Sequence, residues 1–523
     1  MATKDQKAKG GVFQKFLDFV EVAGNKLPHP VTLFFILAIA VILISYICEM
    51  LGVSVTYEVT QKAEDGTIAT VEQTVAAVSL LSADGIRYIF STMVTNFTGF
   101  APLGTVLVAM LGVGVAEGTG LIDAALKKAV LSTPRKLITV MVVFLGIMSN
   151  IASDAGYVVL VPLGAVIFLS FGRHPLAGLA AAFAGVSGGF SANLLIGTLD
   201  PLLGGISTEA ANIMAPGYTV QPTANWYFMI ASTFIIAALG TIVTERIVEP
   251  RLGEYKGKQV DTNIKDITPA EKKGLTAALV SMLVFIGIML ALLVPEGAIL
   301  RNPETGEILR GSAFMAGLVP IIAMFFLIPG VFYGIFAKTV KNDKDVARFM
   351  GKAMSSMGGY LVLAFAASQF IAYFTYSKLG TILAVTGADF LEAIGLSGVP
   401  LMVGFIIVAA FINLFMGSAS AKWAIMAPIF IPMFMRLGYS PELTQLAYRI
   451  GDSTTNIISP LMSYFAVIVA FAEQYDEETG IGTLISMMLP YSLLFLAGWT
   501  VLMIIWFVAG LPIGPDAPIY FSL

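Results

Sequence analysis

The chain has 523 residues, of which 57% are hydrophobic and only 12% charged, with a net charge of −4. Soluble domains carry about 25% charged residues, so the composition excludes an ordinary soluble protein. It indicates a polytopic helical membrane protein with many stretches long enough to cross ~30 Å of hydrocarbon. No basic patch with interleaved aromatics points to nucleic acid. The single cysteine, Cys48, leaves no intramolecular disulfide, and the two histidines, His29 and His174, lie at segment ends and make no histidine-based metal site.

In chain order, residues 1–30 read as a cytoplasmic segment with an amphipathic stretch, FQKFLDFVEVAGNKL, and without the cleavage pattern of a signal peptide. Region 31–97 holds the first span (31–52) and an external loop. In that loop, residues 53–80 alternate polar and β-branched side chains, the pattern of a small β-hairpin. Further continuous spans are expected at 98–118, 176–200, 226–246, 274–294, 313–337, 357–376, 447–472 and 483–510, making nine. Two more apolar regions, about 137–171 and 399–435, are interrupted by polar, small-residue breaks: SNIASDAGYVVLVP from Ser149 and GSASAKWAIMAP from Gly417. Each break sets an aromatic (Tyr157, Trp423) five residues before a proline (Pro162, Pro428). Backbone that leaves the helix at membrane depth must be buried in protein or line a watery cavity. Each region is therefore expected to be a re-entrant helical hairpin.

Charge supports that layout. With the N-terminus in the cytoplasm, Lys62, Arg87, Arg301, Arg310, Lys378 and Arg436 fall outside, Lys422 and Arg449 fall within the membrane, and every other Lys and Arg lies on the cytoplasmic side. The first hairpin then opens from the cytoplasm and the second from outside, so 98–246 and 357–510 form an inverted-topology repeat. Region 247–356 supplies scaffold or dimer spans and cytoplasmic loops, and 511–523 is an external tail. Paired breaks in the two halves are the best sequence pointer to a transporter's binding site.

Ionisable groups at membrane depth are costly and usually functional. Arg449 and Asp452, three apart in YRIGDSTTNIISP, share a helix face. Asp452 is then an ion ligand or proton carrier tuned by Arg449, or the two are a self-neutralising structural pair. The hydroxyls and amides from Ser453 to Asn456 suit a hard cation such as Na⁺. Asp200, in SANLLIGTLDPLL, is either a second coupling carboxylate or a helix-end cap near water, with Pro201 disrupting the ladder. Asn150, Ser153, Ser418 and Ser420 sit at the hairpin tips, with Asp154 in the first break, where they help hold an anion or cation or simply permit tight packing. Asn413 is an ion or substrate ligand, or a packing hydrogen-bonder. Trp423 stacks an aromatic substrate or anchors at the interface. Lys422 attracts a carboxylate or snorkels to the surface. Phosphate-loop and HExxH signals are absent. The degraded GxSxG from Gly185 to Gly189 follows helix rather than strand, so enzymatic and ATP-driven functions have no support.

The motifs NKLPHPVTLF, NFTGFAPLGTVLV, RHPLAGLAAAFAGVSGG, SANLLIGTLDPLL, FINLFMGSASAKWAIMAPIFIPM, AYRIGDSTTNIISP and GTLISMMLPYS span almost the whole chain. Together they resemble the p-aminobenzoyl-glutamate transporter (AbgT) family, in particular its sulfonamide-exporting members. The breaks also resemble the hairpin signatures of a wider ion-transporter superfamily that includes sodium/dicarboxylate symporters. The resemblance implies a homodimer in the lipid of the bacterial inner membrane, with nine spans and two hairpins per subunit. It implies export of sulfonamides or transport of p-aminobenzoyl-glutamate, driven by H⁺ or Na⁺ and using no other cofactor. The alternatives are a sodium-coupled importer of such compounds or of a dicarboxylate and, further off, an ion channel. By motif, the family's functional positions fall on Asp200, Asn413, Ser420, Trp423, Pro441, Arg449 and Asp452. Lys422 departs from an expected uncharged residue and Ile151 from an expected threonine.

Overall fold

The computed structural model describes residues 28–62, 68–152, 156–257, 267–309 and 311–521. The amphipathic stretch FQKFLDFVEVAGNKL, and Ser153, Asp154 and Arg310, lie outside these residues. Among the described residues, seven helices are long and apolar enough to cross a membrane: Pro30–Met50, Ala83–Gly118, Trp226–Leu252, Pro269–Leu293, Leu318–Ala337, Gly358–Tyr376 and Ile481–Val508. Each coincides with an expected span, although the second is extended by a preceding amphipathic helix, Ala83–Thr98. Their starts follow local chemistry. Ser82 accepts the Gly85 amide, and Thr268 and Glu271 form a reciprocal capping box ahead of Pro269. The loop after the first span forms the expected β-hairpin, with Ser54–Lys62 antiparallel to Ile68–Ala76 and Ser54 opposite Ala76.

The two remaining expected spans are not continuous. Residues 176–200 divide into a helix with a terminal π turn, Pro175–Gly188, and a second helix, Leu199–Ala211. Residues 447–472 divide into Pro441–Asn456 and Phe465–Glu473. We refer to these as the first and second split helices. In the second, Pro460 withholds a donor inside the gap. In the first, the ladder stops at Gly188, well before Pro201. That proline sits in the first turn of the new helix, where no backbone donor is needed.

The two interrupted regions each form a pair of arms. The first pair is Ile138–Ser149 and Gly156–Ser170, and the second is Gly398–Asn413 and Ala419–Arg436. At 12 residues and 1.5 Å per residue, Ile138–Ser149 rises only about 18 Å, too short to cross the hydrocarbon. It is also bent by 113° from the preceding helix, Leu121–Leu131. Each tip packs on the gap of the split helix in its own half. A Cβ on Gly197 would lie 3.3 Å from the Asn150 carbonyl, and one on Gly417 would lie 2.2 Å from the Leu461 carbonyl.

The main apolar cluster of the core runs through both arm pairs and both split helices, and two small clusters lie apart from it, around Tyr333 and around Leu318. By contrast, Pro269–Leu293 buries only the stripe Gly274, Ala278, Ser281 and Phe285, leaving an apolar outer face that includes Leu279, Leu283 and Ile288.

Candidate functional site

The second split helix carries the site. All sixteen residues of Pro441–Asn456 are buried, including Gln445, Arg449, Asp452, Ser453, Thr454, Thr455 and Asn456. Buried polar groups persist only when they find partners. Those partners come from elements far apart in sequence.

Arg449 does not pair with Asp452. Its Nη2 lies 2.7 Å from Asp200 Oδ1, with both side chains at most 3% exposed. Asp200 Oδ2 accepts the Gly197 amide at 2.6 Å, which orients the carboxylate across the helix start. Asp200 is thus neither at water nor a simple cap, but the first-half member of an ion pair between the two halves. Asp452 pairs instead with Lys422, whose Nζ lies 2.6 Å from Oδ1. Lys422 neither snorkels nor waits for a ligand; its side chain is wholly buried. The i,i+3 spacing put Arg449 and Asp452 on one face, and on that face each side chain reaches a different charge.

Trp423 is fully buried and so is no interfacial anchor. Its ring stacks on Tyr448, centroids 4.5 Å apart, and its Nε1–H donates to Ser207 Oγ at 2.9 Å. Ser207 donates to Gln445 Oε1 at 2.6 Å, Gln445 Nε2–H donates to Asn225 Oδ1 at 2.8 Å, and Asn225 donates to the Glu442 carbonyl at 2.9 Å. This chain of bonds passes repeatedly between the first and second halves. Tyr448 OH donates to the Ala419 carbonyl at 2.5 Å and reaches Asp452 Oδ1 at 3.3 Å. Ser207, Asn225, Gln445 and Tyr448 were not singled out from the sequence. The signal for Gln445 was available, since it stands four residues before Arg449 and seven before Asp452, on their helix face.

At the tips, Asn413 Nδ2 lies 2.6 Å from the Asp452 carbonyl and 2.9 Å from both Thr455 Oγ1 and Asn456 Oδ1. Asn150 Nδ2 donates to the Ile147 carbonyl at 3.2 Å. In both asparagines the Oδ1 is buried without a protein partner. Ser418 caps the second arm by accepting the Ala421 amide, with Ser420 Oγ 3.4 Å away. Both serines line a cavity of about 510 Å³ with His29, Gly359, Gly417 and Ser463. Ile151 lines an apolar cavity at the first tip. Pro441 stands apart. It begins the second split helix two turns before Arg449, beside Glu442 and its Tyr218 partner.

Two features bear on what this arrangement binds. Arg449 Nε and Nη1 are buried donors with no partner in the protein, so the guanidinium keeps one unpartnered donor on each side of the Nη2 that holds Asp200. A sodium ion on the Asp452 carboxylate does not fit the residues present, because the Lys422 ammonium already occupies that carboxylate. Among the described residues no cluster of three His, Cys, Asp or Glu side chains is poised for a metal.

Residues 15–521 match the AbgT putative transporter family. The chain is 40% identical over 501 residues to the p-aminobenzoyl-glutamate transport protein of Escherichia coli (strain K12), covering 96% of each. Two solved structures share its fold. Neisseria gonorrhoeae MtrF, described as illuminating a class of antimetabolite efflux pumps, is 51% identical with a TM-score of 0.91, over 96% of this chain and 100% of that one. The Alcanivorax borkumensis YdaH transporter is 46% identical with a TM-score of 0.86, over 93% of this chain and 100% of that one. The relatives are membrane transporters and pumps, so this chain is a multi-pass transporter and not an enzyme, and it belongs to the AbgT family.

Proposed function

We propose that the protein is a cation-coupled secondary transporter of the bacterial inner membrane that exports sulfonamide antimetabolites and transports p-aminobenzoyl-glutamate. The observation that carries this reading is the buried Asp200–Arg449 pair, with two unpartnered Arg449 donors on the helix that also holds Tyr448. A carboxylate or ionised sulfonamide on the substrate matches the free donors of Arg449, and an aromatic ring matches the Trp423–Tyr448 stack. Named relatives that handle p-aminobenzoyl-glutamate and antimetabolites support the substrate class.

The two halves, 98–246 and 357–510, have the same order of elements: an apolar helix, a short helix, two arms, a split helix and a long final helix. We read this order as an inverted-topology repeat with a cytoplasmic N-terminus, supported by the lysine and arginine distribution. Rocking of one half against the other would part Asp200 from Arg449, and a buried carboxylate that loses its cation is neutralised by a proton. The coupling cation is H⁺ or Na⁺. The outward apolar face of Pro269–Leu293 suits lipid or the second subunit of a homodimer.

The test is uptake of radiolabelled sulfamethazine and p-aminobenzoyl-glutamate into proteoliposomes under separate H⁺ and Na⁺ gradients, with wild type, Asp200→Ala and Asp452→Ala. Saturable, gradient-driven movement lost in both variants is expected. Absence of movement for both compounds would remove the substrate assignment. Net movement down the Na⁺ gradient into the compartment corresponding to the cytoplasm would favour the importer, and unsaturable conductance a channel.

A further inference from the structure

The Lys422–Asp452 contact has no equivalent in the sequence expectation, which offered Asp452 as an ion ligand or proton carrier tuned by Arg449, or as half of a structural pair with it. The turn after Asp452 carries oxygens of the kind a hard monovalent cation takes, but Asn413 Nδ2 faces three of them, the Asp452 backbone carbonyl, Thr455 Oγ1 and Asn456 Oδ1. The Asn413 Oδ1 is itself buried without a partner. A cation is nevertheless present, and it belongs to the protein. Lys422 Nζ lies 2.6 Å from Asp452 Oδ1, with the two side chains 0% and 2% exposed. The ammonium makes no other protein contact to satisfy its remaining donors. Asp452 is therefore the group that makes its burial tolerable. The other charges nearby do not share the task. Arg449, one turn back on the same helix, is committed to Asp200, and Tyr448 contributes a neutral hydroxyl to Asp452 Oδ1.

The geometry also places the ammonium where a coupling ion would act. Lys422 is in the first turn of the second arm, directly behind the tip, and Asp452 is on the second split helix. A cation between them draws the tip onto that helix. A sodium ion and an ammonium cannot both lie against one buried carboxylate oxygen without strong mutual repulsion. We propose that Lys422 is a tethered cation that takes the place of Na⁺ at Asp452, so that this carboxylate binds no sodium unless the ammonium is removed. This inference rests on reading the protein as a cation-coupled transporter, but its test reads ion binding and not transport.

The experiment is equilibrium binding of radioactive sodium to the purified full chain in detergent, by scintillation proximity. Variants are accepted when they elute as one monodisperse peak. Wild type and Lys422→Arg are expected to show no sodium binding that depends on Asp452. Lys422→Met is expected to gain a saturable sodium site, and Lys422→Met/Asp452→Asn to lose it. Lys422→Gln serves if the Met variant does not fold. The proposal is overturned if Lys422→Met and Lys422→Gln gain no binding. It is equally overturned if wild type binds sodium and Asp452→Asn abolishes that binding. Failure of transport in proteoliposomes, with the sodium site appearing as expected, would count against the transport reading alone.

Discussion

Asp200 and Arg449 show how a single charge pair ties local chemistry to the whole site. Removing one member of a buried pair leaves its partner uncompensated and typically costs about 3–5 kcal/mol. Asp200→Asn is therefore expected to lower the unfolding free energy by that order in detergent and to abolish uphill transport, read by denaturant titration and proteoliposome uptake. Trp423→Phe tests a finer point. The ring still stacks on Tyr448, but the N–H to Ser207 is lost. A stability loss of about 1 kcal/mol is expected, with a rise in KM for aromatic substrates as the Trp423–Ser207–Gln445 register loosens. An unchanged KM would show that the indole N–H does not position the ring. At this scale the residue types were legible before the structure: Asp200, Arg449, Asp452 and Trp423 stand out as costly groups in apolar surroundings. Their partners were not. Helical spacing reports which side chains share a face, and it says nothing about which charge on another element each one meets.

At the scale of elements, the apolar helices were legible because their length and hydropathy meet the demands of the bilayer, and the β-hairpin because strand alternation has a period of two. The split helices were not. Residues 176–188 are as apolar as a true span, so hydropathy cannot mark where the hydrogen-bond ladder stops. The stop is set by packing of the gap against the tip of the first arm pair, where Gly197 meets the backbone of Asn150 and Ile151. The second tip makes the sharper prediction. A Cβ on Gly417 would sit 2.2 Å from the Leu461 carbonyl, a backbone atom that cannot swing aside. Gly417→Ala is expected to destabilise the protein by about 1–3 kcal/mol and to reduce transport. Full activity with an unchanged melting temperature would mean that the tip does not seat on the gap as described.

At the scale of the whole molecule, the two halves are joined by more than the charge pair. The segment 511–521 runs across both. Its Ile513 carbonyl accepts the Phe228 amide of the first half, and its Ile519 carbonyl accepts the Ser440 amide of the second. Gly514 is seated so closely that a Cβ would lie 2.1 Å from the Thr223 carbonyl. Gly514→Ala is expected to unseat this strap and lower the melting temperature, and retention of the wild-type value would exclude a clamping role. A double-mutant cycle on Asp200→Ala and Arg449→Ala is expected to show a coupling energy of about 0.5–3 kcal/mol, whereas additivity would mean that the pair does not hold the halves together. The sequence by itself determined that this chain lives in a membrane, where its principal apolar helices lie and which rare charges fall among apolar residues, because hydrocarbon imposes those constraints residue by residue. Only the tertiary structure decided that Arg449 answers Asp200 and that Lys422 answers Asp452. A buried charge is satisfied by whatever folding brings within a few ångströms, and the residues concerned are separated by up to hundreds of positions along the chain.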